Sequence, residues 1–321
     1  MNDHEDFDGN DQDIHPKWHP LARIALYLFV VVGALQLLIG SPAIALWLLL
    51  TGQDPNLLLD SEIAGEALLF AYALLAPATV LATIPFLRRL DRRSLREMGA
   101  YWPGGRRSVA LRQIIPALAA TVLFLGLWLF IIPFLSEFQW NGLSDTVRTG
   151  PGWWPSPAGS FVTSILFLLG FMVQGGLEEW IVRGYIYANL RDRWSWPNAA
   201  AASSLIFALG HGLNPEVSPV SIMNTFLIGL VLAMLVEWTG SLWAATLIHG
   251  FWNFFVGCAI SLPVSGITTF RILDLSVTGP SFLTGGDYGP EGSLIMTGML
   301  LPLVFVMAHR LDGIRRDIMT I

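Results

Sequence analysis

The chain contains little cysteine and little charge. Its 321 residues include one cysteine, Cys258, which excludes a disulfide framework and a zinc site made of cysteines. Charged residues make up 13% of the chain, whereas soluble domains carry about 25%. Hydrophobic residues reach 54% and the mean hydropathy is +0.58. The composition therefore excludes an ordinary soluble domain and predicts a membrane protein.

The beginning of the chain departs from this apolar composition. Five Asp and one Glu lie among the first 20 residues, which makes this segment too acidic for a secretory signal peptide. We predict a disordered acidic tail over residues 1–22. No internal repeat or low-complexity segment divides the remainder, so we predict a single membrane domain over residues 23–321.

Eight apolar runs follow the tail. A helix needs about 20 apolar residues to cross a bilayer, and the fifth and eighth runs are shorter than the rest. We expect these two to cross with little tilt or to stop inside the fold. The prediction is an all-α, polytopic transmembrane bundle of about eight spans, with these ranges: Ile24–Leu50, Ile63–Leu87, Ile114–Leu135, Ser160–Leu190, Asn198–Leu213, Val220–Glu237, Ser241–Leu262 and Ser293–Ala308.

Arginine placement orients the predicted spans. The segment between spans two and three is rich in arginine, and such loops stay in the cytoplasm. Further arginines follow spans four and eight, whereas the loops on the other side are mainly acidic. We therefore predict a protein of the bacterial cytoplasmic (inner) membrane with both termini in the cytoplasm. The bases used are Arg88, Arg89, Arg92, Arg93, Arg96, Arg106, Arg107, Arg112, Arg191, Arg193, Arg310, Arg315 and Arg316.

Two adjacent glutamates, Glu178 and Glu179, lie at the end of the apolar run 160–176. A charged carboxylate at the centre of a bilayer costs at least about 2.5–3.5 kcal/mol, so such residues mark functional sites. Arg183 follows Glu179 by four residues, which places the two side chains on one helix face, where they can pair. Glu178 lies about 100° around the helix and stays free for another task.

Polar residues on four spans are predicted to lie at similar depths. At 1.5 Å per residue from the cytoplasmic ends, Glu178 and His211 both lie about 20 Å deep. Asn253 lies about 18 Å deep and His249 about 12 Å, and Asn224 falls in the same layer. We therefore expect one polar site built from spans four to seven.

These residue types are compatible with more than one chemistry. A carboxylate, two imidazoles and a carboxamide can activate water and stabilise an oxyanion. Glu178, His211 and His249 can also ligate a metal such as Zn²⁺. Alternatively, the same residues only join helices through buried polar contacts. The residues alone leave zinc and a metal-free mechanism equally open.

Three motifs occur in order within the predicted spans. Residues 178–183 read Glu-Glu-x-x-x-Arg, residues 207–211 read Phe-x-x-x-His, and residues 249–253 read His-x-x-x-Asn. In this order and spacing they resemble the CPBP family, which comprises CAAX proteases and bacteriocin-processing enzymes and is also called the Abi domain. The resemblance covers about residues 160–262.

The resemblance implies an intramembrane endopeptidase that acts on a membrane-associated protein or peptide. Eukaryotic members of the family cut prenylated CAAX tails. Neither a nucleic-acid partner nor a particular cofactor is implied, and the family leaves the use of zinc open. Carried over by motif position, the roles are water activation by Glu178 assisted by His211, oxyanion binding by His249 and Asn253, and support of the site by Glu179 and Arg183.

Other classes of membrane protein fit the sequence less well. The His-Glu-x-x-His motif of zincins is absent, and no Gly-x-Ser has the context of a rhomboid nucleophile. A proton-coupled transporter would also bury Glu, Arg and His, but it should show an internal repeat. A non-catalytic membrane scaffold or bacteriocin-immunity protein is the main alternative to the endopeptidase.

A hydrolytic site within the bilayer also needs access to water. An open cavity lowers the cost of burying Glu178, and His249 is predicted to lie nearer the arginine-rich side. We therefore expect a conical cavity that opens to the cytoplasm, with a sideways opening to lipid as a further option. Cleavage is then expected near the cytoplasmic boundary of the membrane.

Overall fold

The computed structural model describes residues 18–56, 61–100, 107–149 and 155–319, with side chains described outside 61–64, 107–113 and 314–319. The tail expected at residues 1–22 falls mainly on residues 1–17, which are outside the described part, and stays a prediction. Arg106 and the side chains of Arg107, Arg112, Arg315 and Arg316 are outside it as well.

Long helices account for most of the described chain, and the expected all-α bundle is confirmed. Several begin at a serine cap followed by proline or a leucine. Ser156, Ser218 and Ser241 accept hydrogen bonds from first-turn backbone N–H groups, which satisfies donors that have no partner inside the helix. The helices are α1 (Pro20–Thr51), α2 (Ser61–Pro85), α3 (Arg107–Ile131), α4 (Pro157–Leu190), α5 (Trp196–Gly210), α6 (Pro219–Thr239), α7 (Leu242–Ala259) and α8 (Leu294–Met319).

Seven of the eight predicted spans are long and apolar enough to cross a membrane, judged over the described residues. The exception is α5, with 15 residues, which extends about 22 Å at 1.5 Å per residue. A 3₁₀ turn at His211–Leu213 continues it. The sequence marked this span as short, and the structure shows that α5 ends at the level of His211. The expectation that the eighth run is also short is wrong, because α8 continues through the polar residues after Ala308 and has 26 residues.

An ion-paired cluster joins several helix ends at one face of the bundle, which we call the arginine-rich face. Arg23 of α1 binds Asp91, which follows α2, and Asp192, which follows α4. Arg93 also pairs with Asp192. Separately, Trp196 at the start of α5 donates to Asp312 of α8. This face therefore contains the described starts of α1 and α5 and the ends of α2, α4 and α8, as the charge pattern predicted.

The other face carries the connections that follow α3 and α7. Strand β1 (Glu137–Leu143) pairs antiparallel with β2 (Leu273–Thr278), with an irregularity between Trp140 and Gly142. Asn214, just beyond α5, donates to the backbone oxygen of Ser265, beyond α7. This contact shows that α5, although short, reaches the same face as α7, so the alternation of helix directions is kept. We call this side the opposite face.

Helices α4 and α7 approach each other closely because glycines face each other between them. A Cβ atom on Gly175 would lie 3.1 Å from the backbone nitrogen of Gly250 and 3.2 Å from Cγ of His249. A Cβ on Gly250 would lie 2.7 Å from Sδ of Met172. These contacts are tighter than ordinary packing allows, so the two glycines bring the glutamate-bearing helix and the His249 helix together.

Candidate active site

Glu178 lies between two imidazole rings that come from different helices. Its Oε2 is 4.0 Å from Nε2 of His211 and 3.7 Å from Nε2 of His249. Both separations exceed a direct hydrogen bond. Oε2 is buried and has no hydrogen-bond partner among the described residues. The three groups therefore face one another at distances that suit a small bridging molecule, such as water.

Glu179 forms the ion pair that its spacing from Arg183 predicted. Nη1 of Arg183 donates to Oε1 of Glu179 at 2.9 Å, and both side chains are fully buried. The same Oε1 accepts from Nδ1 of His249 at 3.0 Å. A buried carboxylate with a paired guanidinium and a second donor meets the conditions under which a buried charge is tolerated. Glu179 therefore holds His249 in place while Glu178 stays unpaired.

Arg183 extends this network to the two remaining helices of the site. Its Nη2 donates to the backbone oxygen of Gly229 on α6 at 3.0 Å. Its guanidinium carbon lies 4.4 Å from the ring centroid of Phe207 on α5, a cation–π distance. Arg183 lies in a π-helical stretch, Trp180–Tyr187, that directly follows Glu179. The guanidinium thus connects α4, α5 and α6 directly, and α7 through Glu179.

Hydrogen bonds on Nδ1 fix the tautomers of both histidines. Nδ1 of His211 lies 2.9 Å from the backbone oxygen of Phe207, and Nδ1 of His249 faces the Glu179 carboxylate. Both partners are acceptors, so each Nδ1 carries the hydrogen. In the neutral rings Nε2 is consequently an unprotonated acceptor, and it carries a hydrogen only in the imidazolium form. A water molecule between Glu178 and His211 would donate to both.

Gln174 is a member of the site that sequence reasoning missed. It lies one turn before Glu178 on α4; its Nε2 donates to Oε1 of Glu178, and its Oε1 accepts from Nδ2 of Asn253 at 2.8 Å. The amide therefore turns Oε2 of Glu178 towards the histidines and fixes the carboxamide of Asn253. Its i, i+4 spacing from Glu178 within an apolar run was the available signal.

Asn224 does not join the site, contrary to the depth estimate. Its Nδ2 donates to the backbone oxygens of Glu291 at 2.7 Å and Ser293 at 2.8 Å, and its Oδ1 accepts from Thr297 at 2.7 Å. All these partners lie at or before the start of α8. Depth alone cannot tell which side of a helix faces a site, and Asn224 faces α8 instead.

A cavity of about 770 Å³ adjoins the site. Gln174, Glu178, His211, His249 and Asn253 line one part of its otherwise largely apolar wall. The volume lies within the ~300–1,000 Å³ range of small-molecule and peptide side-chain pockets. The polar groups described above therefore border a space that a substrate segment can occupy.

The cavity extends along the bundle towards both faces. Its lining includes Val264, Ser265 and Ile267 beyond α7, together with Glu291 before α8, all at the opposite face. The lining also includes Leu28 of α1 and Ile186, which lies four residues before the end of α4 at the arginine-rich face. The expected opening to the cytoplasm stays a prediction.

Zinc ligation was the alternative use of Glu178, His211 and His249. The donor types suit a catalytic zinc ion, which takes His nitrogens and a carboxylate. Within the described part of the chain, however, no three His, Cys, Asp or Glu side chains form a group that could hold a metal ion. As arranged here, these residues do not fit a metal site.

The comparisons with known proteins point to the same segment. Residues 160–255 match the family model described as type II CAAX prenyl endopeptidase Rce1-like. All three motifs lie inside the matched range, so the resemblance to the CAAX-protease family, a peptidase family, is confirmed. No curated protein matches the chain.

Proposed function

We propose that this protein is an intramembrane endopeptidase that hydrolyses a peptide bond of a membrane-associated protein or peptide. The observation that carries the proposal is the unpaired Oε2 of Glu178, which faces Nε2 of His211 and His249 at the cavity wall. The family match supports the reaction class. The roles of individual residues follow from their hydrogen bonds.

The reaction begins with a water molecule held between Glu178 and His211. Its oxygen attacks the carbonyl carbon of the scissile bond while Oε2 of Glu178 accepts one proton. A C–O bond forms and the carbonyl becomes a tetrahedral oxyanion. Glu178, assisted by His211, then transfers the proton to the amide nitrogen, and the C–N bond breaks. The products are a carboxylic acid and an amine.

Asn253 and His249 are positioned to stabilise the oxyanion. Asn253 uses one Nδ2 hydrogen for Gln174, and an amide NH₂ group has a second. His249 donates from Nε2 only as an imidazolium, because its Nδ1 hydrogen is used by Glu179. Each well-placed donor to an oxyanion contributes about 2.7–4 kcal/mol to catalysis. The pair therefore forms an oxyanion hole on α7.

Substrate access follows from the cavity lining. Because the lining reaches from Ile186 near the arginine-rich face to Glu291 at the opposite face, we propose that the peptide enters from the cytoplasm or from the surrounding lipid. The charge pattern predicts that the arginine-rich face lies in the cytoplasm. Apolar side chains dominate the remaining wall, which favours a substrate with an apolar or lipid-modified segment next to the scissile bond.

The proposal is tested by comparing wild type with Glu178→Gln, which keeps the size of the side chain but removes the base. Membrane-fraction proteomics identifies any protein whose processing depends on Glu178, and a peptide spanning that cleavage site is then assayed with purified protein. We expect Glu178→Gln to fold and to lose activity by at least about 100-fold. Glu216→Gln, which removes an exposed carboxylate, is the matched control.

Two outcomes would contradict the proposal. Substantial turnover by Glu178→Gln would show that another group is the base. A cellular function that is unaffected by Glu178→Gln, but lost when the protein is removed, would favour the non-catalytic scaffold or immunity protein.

A further inference from the structure

Glu291 is a second carboxylate in the cavity wall, and it lies outside the segment that matches the family model. Its residue is 6% exposed. Three donors surround it: Oε1 accepts from Nε1 of Trp252 at 2.8 Å, and Oε2 accepts from Ser265 through its backbone nitrogen at 2.9 Å and its hydroxyl at 2.6 Å. A buried carboxylate with this many donors is fixed in position.

The bond to Trp252 connects Glu291 to the oxyanion-binding helix. Trp252 lies between His249 and Asn253 on α7, directly before Asn253. Its indole also makes an edge contact with Phe124 of α3, with ring centroids 6.0 Å apart. An indole held at both its N–H group and its ring restricts rotation of the helix about its axis. Glu291 therefore limits how far Asn253 can turn away from the scissile bond.

The bonds to Ser265 connect Glu291 to the turn after His211. Ser265 has φ of +49°, a left-handed conformation that is unfavourable for serine and persists only when its surroundings hold it. Its backbone oxygen accepts from Asn214 at 3.1 Å, three residues beyond His211. Glu291 thus stabilises the strained loop conformation against which the end of α5 is held.

We propose that Glu291 is a positioning residue for the peptidase site, acting on Asn253 through Trp252 and on His211 through Ser265 and Asn214. The inference rests on the proposed function for its kinetic consequence. Its structural part, the Trp252–Glu291 hydrogen bond, is independent of that function. One carboxylate thereby sets the relative placement of the oxyanion-binding helix and the helix that carries His211.

Kinetics distinguish this role from substrate binding. We expect Glu291→Ala to lower kcat by about 10- to 100-fold with little change in KM, because misplacement of catalytic groups acts on the transition state. Glu291→Gln keeps one acceptor for Trp252 but presents an NH₂ group to Ser265. Its kcat should therefore lie between those of Glu291→Ala and wild type. Asp287→Asn, an exposed carboxylate four residues earlier, is the matched control and should behave as wild type.

Spectroscopy tests the contact without any substrate. In nanodisc-reconstituted protein labelled with ¹⁵N-tryptophan, the Trp252 indole signal among 13 tryptophans is identified by its loss in Trp252→Phe. We expect Glu291→Ala to move this signal upfield, since a bond to a carboxylate is removed, and Asp287→Asn to leave it in place. The peptide for the kinetics is one that wild type cleaves and Glu178→Gln does not.

An unmoved indole signal in folded Glu291→Ala would overturn the proposal, as would a normal kcat together with a moved signal. If Glu291→Ala does not fold, Glu291→Gln is judged by the same two measurements. If wild type cleaves no peptide, the peptidase proposal fails, while the indole signal still decides whether Glu291 holds Trp252.

Discussion

The side-chain amide of Gln174 donates a hydrogen bond to Oε1 of Glu178, and Oε2 of Glu178 faces the two histidines. Through its carbonyl oxygen it also accepts from Asn253. One neutral side chain therefore orients the proposed base and the proposed oxyanion donor together. An amide suits this position, because it offers a donor to the carboxylate and an acceptor to the carboxamide at the same time.

Replacement of Gln174 by Met should separate these two groups while keeping the volume of the side chain. We expect kcat to fall by about tenfold or more, because Glu178 and Asn253 each lose the bond that orients them. Stability should change little, since both freed groups line the cavity and can reach water. Turnover of a cleavable peptide measures the effect, with Gln139→Met on the exposed strand β1 as control. An unchanged kcat would show that Gln174 has no orienting role.

Glu179→Gln should act mainly on stability. The amide leaves the fully buried Arg183 without a counter-charge, and breaking a buried pair in this way costs about 3–5 kcal/mol. Thermal unfolding in detergent measures the loss, and partial activity should remain below the unfolding temperature. The double variant Glu179→Gln/Arg183→Met should recover part of the stability. Equal stability of Glu179→Gln and wild type would exclude a structural ion pair.

The rate constant kcat should fall at high pH. At high pH, His249 loses the Nε2 hydrogen that it can donate only as an imidazolium, since Nδ1 is bound by Glu179. His249→Gln offers an amide donor at every pH, so it should remove the alkaline limb and lower the maximum. An alkaline limb that persists in His249→Gln would assign that limb to another group.

We expect activity without zinc. The reason is geometric: the described residues contain no three-ligand group that could hold a metal ion. Purified, active protein should contain zinc well below one ion per chain by mass spectrometry of the metal content, and chelators should leave turnover intact. Stoichiometric zinc, removed by a chelator with loss of activity that returns on adding zinc back, would overturn this expectation.

Both ends of the described chain should lie in the cytoplasm. Arg23 and Asp312 lie at the same face, which the arginine-rich segment before α3 should hold inside. Reporter fusions after Arg107 and after Arg316 should therefore both give a cytoplasmic signal, and a fusion in the β1–β2 region should not. A cytoplasmic signal only from the β1–β2 region would reverse the predicted orientation.

Local spacing predicted the parts of the site that lie along single helices. The apolar runs predicted the helices, and the four-residue spacing of Glu179 and Arg183 predicted their ion pair. The absence of an ion pair between Glu178 and Arg183 was predicted from the position of Glu178, about 100° away on the same helix. Such relations depend only on helix geometry, so they hold before any packing is known.

The relations between helices were harder to predict. Asn224 has the right depth but faces α8, because depth fixes height in the membrane and not rotation about the helix axis. Glu291 lies in the segment between α7 and α8. That segment has no periodic pattern, so its contact with Trp252 could not be predicted.

The histidines differ in what holds their rings. The ring of His249 depends on a side chain, Glu179, so a single substitution can change its tautomer. The ring of His211 is held by the main-chain oxygen of Phe207, one turn earlier on α5. No side-chain replacement removes that oxygen. Natural variation and directed evolution can therefore retune the electronic state of His249 through its partner, whereas that of His211 stays constant for as long as the last turn of α5 is helical.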